Sequence, residues 1–568
     1  MPLALIAVPL KGLLPRSAVA LPVLLALLLG ACASGPVAVV RPPSYWVLEG
    51  EARGGDFTHL TALRNAWLQL PDAGARLARV AELENQALQM FDQPLRLGAI
   101  GNAILEQFPG SLLGHMAMAS FFDRVAQPTD AAREHASAKA ISDELLRSGD
   151  GTAARPYAAI ATSDATALMR QQGFIGLGSI YTDTTEGKLH LNLLVSQGPA
   201  KPLRTLVFDV TPTFSRLLEV QPLKDKKPAS VPQLLFDLAR RGDSGAMTTA
   251  ATQLMREDVA QQTAAFRLLQ QAVTDGNLYA RLSLAQAYLN AYAGETDTDQ
   301  KQELLNHAVE QLEQSVAAGS DVAMLELGRV YLSGLAGAAK KPDGITLIEK
   351  SVSLQQPAAM LLLARLSNAG EGVPKDPARA RALLLQAAQL GSIDAKLAYA
   401  QLLLSAQPST LDDPARNWLT ELSRDEQPKA MLLFAGVQAR GVHVTKDIRA
   451  AKKLYRAVAG NVRKDPELIN DVVWTLAVTD VPQLRDPREA LKLMDQLMTV
   501  NKDAAANPAF LDTWAAANAA NGKFPRAVEL QEQALEAAKT QSPADVVKVL
   551  GEHLAAFKRG EAITEQVP

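Results

Sequence analysis

Residues Ala359–Ala364 read "AMLLLA". Thirty-six residues earlier Ala323–Gly328 reads "AMLELG", and Ala430–Ala435 reads "AMLLFA". Aligned on its first alanine, the phrase recurs at Ala246 (AMTTAA), Ala280 (ARLSLA), Ala323, Ala359, Ala395 (AKLAYA) and Ala430, with spacings of 34, 43, 36, 36 and 35 residues. A fixed period in this range is the mark of helix pairs stacked into a solenoid. The long second interval carries the polar insertion "YAGETDTDQKQ". Small residues at the first and sixth positions, such as Gly328, let one helix lie close against the next, and leucines between them fill the seam between units.

The second half of each unit repeats as well. "NAGEGVPKDPARARALLLQAAQLGS" (Asn368–Ser392) holds a Gly-rich turn, Asp376-Pro377, a helix and then Gly391; "ARGVHVTKDIRAAKKLYRAVAGN" follows the same plan with Gly441, Asp447 and Gly460. An aspartate before a helix accepts bonds from its free N–H groups, and proline fits the first turn, where no N–H is needed. Asp413-Pro414 and Asp486-Pro487 read as the same device. Glycine beyond the helix end takes the left-handed conformation that stops it.

These motifs resemble the Sel-one-like repeat, a relative of the tetratricopeptide repeat. The resemblance is carried by Leu327-Gly328, Tyr331, Gly334 and Gly337. Gly370-x-Gly372-Val373-x-Lys375-Asp376 carries it further with Ala380, Ala387, Ala388 and Gly391, and so does Gly441-Val442 with Lys446-Asp447, Ala450, Tyr455 and Ala457. The first two units lack the Gly-x-Gly-Val turn. In "AFLDTWAAANAANGKFPRAVELQEQALEAA" (Ala509–Ala538), Trp514, Ala517, Asn521-Gly522, Phe524, Ala527 and Ala534 stand at tetratricopeptide spacing. The resemblance implies a superhelix of helix pairs: Sel-one-like units over 234–462, tetratricopeptide-like units over 463–557 and a tail over 558–568.

The chain has 568 residues, enough for two to four domains. It is 48% hydrophobic and 21% charged, with a formal net charge of -3, which gives no basic signature of a nucleic-acid partner. Its one cysteine is Cys32. Lys11 and Arg16 precede the apolar run "SAVALPVLLALLLGA" (Ser17–Ala31), the pattern of a secretory signal, and about 15 residues is short for a spanning helix. Leu29-Gly30-Ala31-Cys32 resembles the lipobox of bacterial lipoproteins. That resemblance implies a signal over 1–31, a diacylglyceryl thioether on Cys32 and a tether over 32–56. Ala33, where inner-membrane retention would call for aspartate, implies the outer membrane, with the body facing the periplasm.

Between tether and repeats, 57–213 reads as an α+β domain. Helical spacing continues to Asp150; then "PYAAIAT", "GFIGLGSIYTD", "KLHLNLLVSQG" and "LRTLVFDVT" read as strands of a mostly antiparallel sheet. "SDATALMRQQG" between the first two reads as a helix capped by Ser163 or Asp164. The passage "LLRSGDGTAARPYAAIAT", with the closing strand "TLVFDVT", resembles an uncharacterised bacterial domain family of unknown function. A proline-bearing linker over 214–233 follows.

Little here points to catalysis. His59, His115, His135, His190, His307, His443 and His553 show no metal-ligand spacing, and there is no phosphate-loop motif. "GDSGA" (Gly242–Ala246) matches the string around a trypsin-like nucleophile, yet it falls at a helix–helix turn in a repeat. "ETDTDQ" (Glu295–Gln300) lacks the glycine and closing glutamate of a calcium loop. "SGDG" (Ser148, Gly149, Asp150, Gly151) reads as a helix end feeding a strand; as a ligand loop its N–H groups would face an anion. The expectation is a mainly α protein: an α-solenoid preceded by a small α+β domain, without cofactor, metal or nucleic acid. It would be a lipid-anchored scaffold for periplasmic or outer-membrane proteins in envelope or exopolysaccharide-export assembly. The competing expectation is a ligand-binding or enzymatic α+β module acting on envelope glycans and delivered by the solenoid.

Overall fold

The computed structural model describes residues 44–184, 186–198, 201–220, 230–256, 259–406, 408–460, 465–501, 504 and 506–566. The expected signal, Cys32 and the first part of the tether lie outside them. No helix among the described residues is long and apolar enough to cross a membrane.

The rest of the expected tether is not free chain. Tyr45–Arg53 is a helix whose Tyr45, Leu48 and Ala52, spaced three and four apart, are buried. Helices Leu60–Leu68, Ala73–Gln89, Pro94–Gln107, Leu112–Arg124 and Pro128–Arg147 follow, packed around Trp67, Ile104 and Leu113. Then come β1 (Tyr157–Ala158), the helix Thr162–Gln171, β2 (Ile175–Asp183), β3 (Leu189–Ser196) and β4 (Arg204–Asp209). The sheet order is β1-β4-β3-β2. It is mixed and, as expected, mostly antiparallel: β1 pairs parallel to β4, with Tyr157 opposite Phe208, while β2–β3 and β3–β4 are antiparallel. A helical crossover returns the chain to its starting end, so β2 runs with β1, and after two reversals so does β4.

The cap of the crossover helix also differs from expectation. Asp164 sits in the first turn and reaches back to the Ile160 N–H at 3.1 Å, and the Ser163 hydroxyl donates to Glu84. The expected linker begins inside the helix Thr211–Val220, whose Phe214 is buried. The helix Val231–Arg240 follows 221–229, which are outside the described residues.

From Ser244 the chain is the α-solenoid that the repeated phrase predicts. Its pairs are Ser244–Leu254 with Val259–Thr274, Leu278–Gly294 with Thr298–Ala317, Asp321–Ser333 with Lys341–Ser353, and Pro357–Ala369 with Pro377–Gln389. They continue as Ile393–Leu404 with Asp413–Arg424, Pro428–Arg440 with Ile448–Ala459, Pro466–Val478 with Pro487–Val500, and Pro508–Ala520 with Phe524–Gln541; Ala544–Lys558 closes the array. Asp376, Asp447 and Asp486 accept from the N–H groups of Arg379, Ala450 and Glu489. In the Asp413-Pro414 unit the cap is one residue earlier: Asp412 accepts from Ala415, leaving Asp413 in the first turn. Gly370 and Gly441 end their helices at φ of 80° and 76°. The acidic insertion is a cap as well, because Asp297 accepts from the N–H groups of Asp299 and Gln300.

Candidate functional site

The repeat alanines sit where helices touch. Ala246, Ala280, Ala323, Ala359, Ala395 and Ala430 have no exposed surface, and Gly328 is buried. At Gly328 the approach is backbone against backbone. A Cβ there would stand 2.9 Å from the Gly344 carbonyl oxygen, and one on Gly344 would stand 2.8 Å from the Gly328 oxygen. The first helices of several neighbouring pairs also touch one another, most extensively Pro466–Val478 against Pro508–Ala520. They therefore line the inner side of the stack. Their outward stripe falls at the fourth and seventh positions of the phrase: Glu326 and Arg329, Leu362 and Arg365, Ala398 and Gln401. Burial raises the pKa of Glu326, opposed by Arg329 at 3.8 Å. This surface mixes apolar groups, Leu362 and Ala398, with charged and polar ones, Glu326, Arg329, Arg365 and Gln401.

Ser148–Gly151 is a structural passage. The Ser148 hydroxyl donates to the Leu145 carbonyl and accepts from the Ala158 N–H. The N–H groups of Asp150 and Gly151 both bond to the Arg155 carbonyl, so they do not present themselves to an anion. Gly149 lies so close to the carbonyls of Arg155 and Pro156 that no Cβ would fit. Asp150 is exposed and closes a turn on Thr152, whose hydroxyl and N–H lower its pKa.

"GDSGA" proves to be part of the junction between the two regions. One Asp243 oxygen accepts from the Ala246 N–H, capping its helix; the other accepts from the hydroxyls of Thr162 at 2.9 Å and Tyr181 at 3.0 Å. β2 is an edge strand, and side chains of the first repeats satisfy its outward groups. The Thr249 hydroxyl accepts from the Tyr181 N–H at 2.9 Å, and the Asn277 amide donates to the Ser179 carbonyl at 2.8 Å. Gly178 and Gly245 make room, for a Cβ on either would strike Asn277 or Ser179. One apolar core runs from Tyr45 to Ala287 across this junction.

Three buried polar clusters were not apparent from the sequence, since they join segments up to 100 residues apart. In the first, Glu84 accepts from Ser111 at 2.7 Å and Ser163 at 2.5 Å, beside the Arg64–Asp164 pair at 2.9 Å. Burial, and then the Asp164 charge, push Glu84 up to about 7. In the second, His115 bonds Glu134 at 2.7 Å and the Pro109 carbonyl at 3.0 Å. In the third, His553 bonds Asp512 at 2.9 Å and stands 3.5 Å from Glu565. Neither imidazole has a hydroxyl or thiol partner, and no metal-binding group of three or more His, Cys, Asp or Glu occurs among the described residues. The third cluster docks the expected tail. Glu565 pairs through its backbone with Val478 and Asp480, and Arg485 bonds the carbonyls of Ala477 and Ile563 at 2.9 Å each.

The Sel1 repeat model matches residues 357–392 and 428–459. The chain is thus a helical-repeat protein with Sel1 repeats in its middle. Among solved structures it is similar to c5321, a protective antigen of uropathogenic Escherichia coli strains displaying an SLR fold (17% identity, 59% of this chain and 70% of that one, TM-score 0.36). It is also similar to a Sel1 repeat protein from Oxalobacter formigenes (18%, 43% and 100%, 0.32) and to yeast Tom70 (12%, 91% and 96%, 0.34). No curated protein matches it.

Proposed function

We propose that this chain is a non-enzymatic scaffold that docks protein partners along its solenoid, held at the outer membrane by an acylated Cys32 and facing the periplasm. The observation that carries the scaffold reading is the uninterrupted stack of helix pairs, whose inner helices present a long surface with no mobile catalytic part. The lipobox-like Leu29-Gly30-Ala31-Cys32 supports the anchor. The Sel-one-like and tetratricopeptide resemblance supports a place in envelope or exopolysaccharide-export assembly.

Two measurements test the reading. Photo-crosslinkers at Arg365 and Gln401, used in cells with mass spectrometric identification, should trap a small, reproducible set of envelope proteins. An empty or random set would end the scaffold reading. Metabolic labelling with palmitate should mark the protein, and Cys32→Ser should abolish the label and release the protein from the membrane fraction. Retention of label by that variant would end the anchor reading and leave the scaffold untouched.

A further inference from the structure

The helix Ile448–Ala459 reads "IRAAKKLYRAVA" and carries no acid. Its cations Arg449, Lys452, Lys453 and Arg456 fall at i, i+3, i+4 and i+7, so they form one stripe down a single face. Like charges four apart repel, and here that happens twice. Among the described residues none of the four side chains is in an ion pair or hydrogen bond. The stripe is a local exception in a chain whose net charge is -3.

Beside it opens a cavity of about 330 Å³, the lower end of ligand-pocket sizes. Lys452 and Arg456 form one wall, from the second helix of its unit. The floor is apolar: Ala459, Val472, Leu476 and Leu493. The far wall holds Asp486, Glu489 and Gln496 from the second helix of the next unit. Those acids are engaged, Asp486 with the Glu489 N–H that it caps and Glu489 with Lys492 at 3.3 Å. Free cations at the rim and an apolar floor call for a ligand with carboxylates flanking an apolar side chain. A polyanion such as a lipid surface or a glycan brings no apolar side chain and would leave the floor unfilled.

We infer that the stripe of Arg449, Lys452, Lys453 and Arg456, with the cavity beside it, is a docking site for an acidic peptide segment of a partner that places an apolar side chain on the floor. This rests on the scaffold reading and names a partner class for it.

The test is fluorescence anisotropy of the full chain with fluorescein-labelled Glu-Glu-Leu-Glu-Leu-Glu-Glu. Saturable binding that weakens with salt is expected. Lys452→Ala with Arg456→Ala should lower the affinity about tenfold, and Arg449→Ala with Lys453→Ala should lower it less, since those two stand away from the cavity. Should the first pair unfold the protein, Lys452→Gln with Arg456→Gln keeps the packed stems and supplies the comparison. Absence of binding overturns the inference. So does equal binding of the peptide with Gln for each Glu, or with Ser for each Leu. Equal competition by phosphatidylglycerol vesicles would make the stripe a polyanion surface and also overturn it. Partner crosslinks elsewhere on the solenoid without peptide binding here would remove this site alone; absence of any partner would remove the scaffold.

Discussion

Replacing Gly344 with alanine tests the geometry on which the solenoid rests. Its Cβ would stand 2.8 Å from the Gly328 carbonyl oxygen and 2.9 Å from the Leu332 nitrogen. Both are backbone atoms of the facing helix, and neither can rotate aside. The helices Asp321–Ser333 and Lys341–Ser353 must therefore separate, an overpacking that costs about 1–3 kcal/mol. Against this, alanine for glycine inside a helix gains about 1 kcal/mol. Because no side chain can relieve the clash, the steric term should prevail, leaving Gly344→Ala up to about 2 kcal/mol less stable. Gly551, inside Ala544–Lys558, has nothing within 4 Å of a Cβ. Gly551→Ala should keep the whole helix gain and be about 1 kcal/mol more stable. A stacked array need not unfold as one unit. The readout is therefore hydrogen exchange of peptides spanning 321–353 and 544–558, with urea unfolding as support. Faster exchange in the first segment and slower exchange in the second are expected. Gly344→Ala as well protected as the parent would refute the close crossing.

The remaining predictions use other parts of the chain. Ala395→Leu should overpack the contact between the paired helices and cost about 1–3 kcal/mol; an unchanged urea midpoint would count against the register. Glu84 is neutral in the fold below its ordinary 4.5 and ionised only above about 7, so the folded state is penalised as pH rises through that window, by about 3 kcal/mol at most. Glu84→Gln copies the protonated form and should match the parent near pH 4.5 but exceed it in stability near pH 8; parallel pH profiles would sink this. For His553, burial alone lowers the pKa, but the Asp512 bond and the charges of Asp512 and Glu565 outweigh it and leave it raised. Its contribution is complete below the ordinary imidazole value and lost as pH rises through the folded one, so hydrogen exchange over 561–566 should quicken with pH beyond the intrinsic rate. Asp150→Ala removes one exposed turn and should leave thermal unfolding nearly unchanged; a clear loss would mean that the turn holds the entry to β1 more firmly than its own bonds account for.

The repeated phrase was legible because a stacked unit must repeat its small contact residues at a fixed interval, and the caps were legible because they act within three residues. Long-range partners leave no such trace. Thr249 looks like an ordinary helix residue and Asn277 like a helix cap, yet they complete the edge of β2. The Glu84, His115 and His553 clusters join distant segments and have no spacing to reveal them. Tyr45–Arg53 was missed because the surrounding glycines and prolines of a tether outweigh three apolar residues at helical spacing. The docked tail was missed because its hold is mainly backbone pairing and the Arg485 fork, which composition does not encode.

The junction bears on what the first region does. A module carried by a flexible arm must have its own closed surface. Here the edge of β2 is completed by Thr249 and Asn277, and the hydroxyls of Thr162 and Tyr181 meet Asp243 of the first repeat helix. Cutting between the regions would bare an unpaired strand edge on one side and part of a shared apolar core on the other. The first region therefore serves the array as a terminal cap, the role that every solenoid needs at its ends. At the far end Ala544–Lys558 and the strapped tail close the stack in the same way. In the proposed scaffold, partners would meet the faces that run along the array: the inner helices and the basic stripe of Ile448–Ala459.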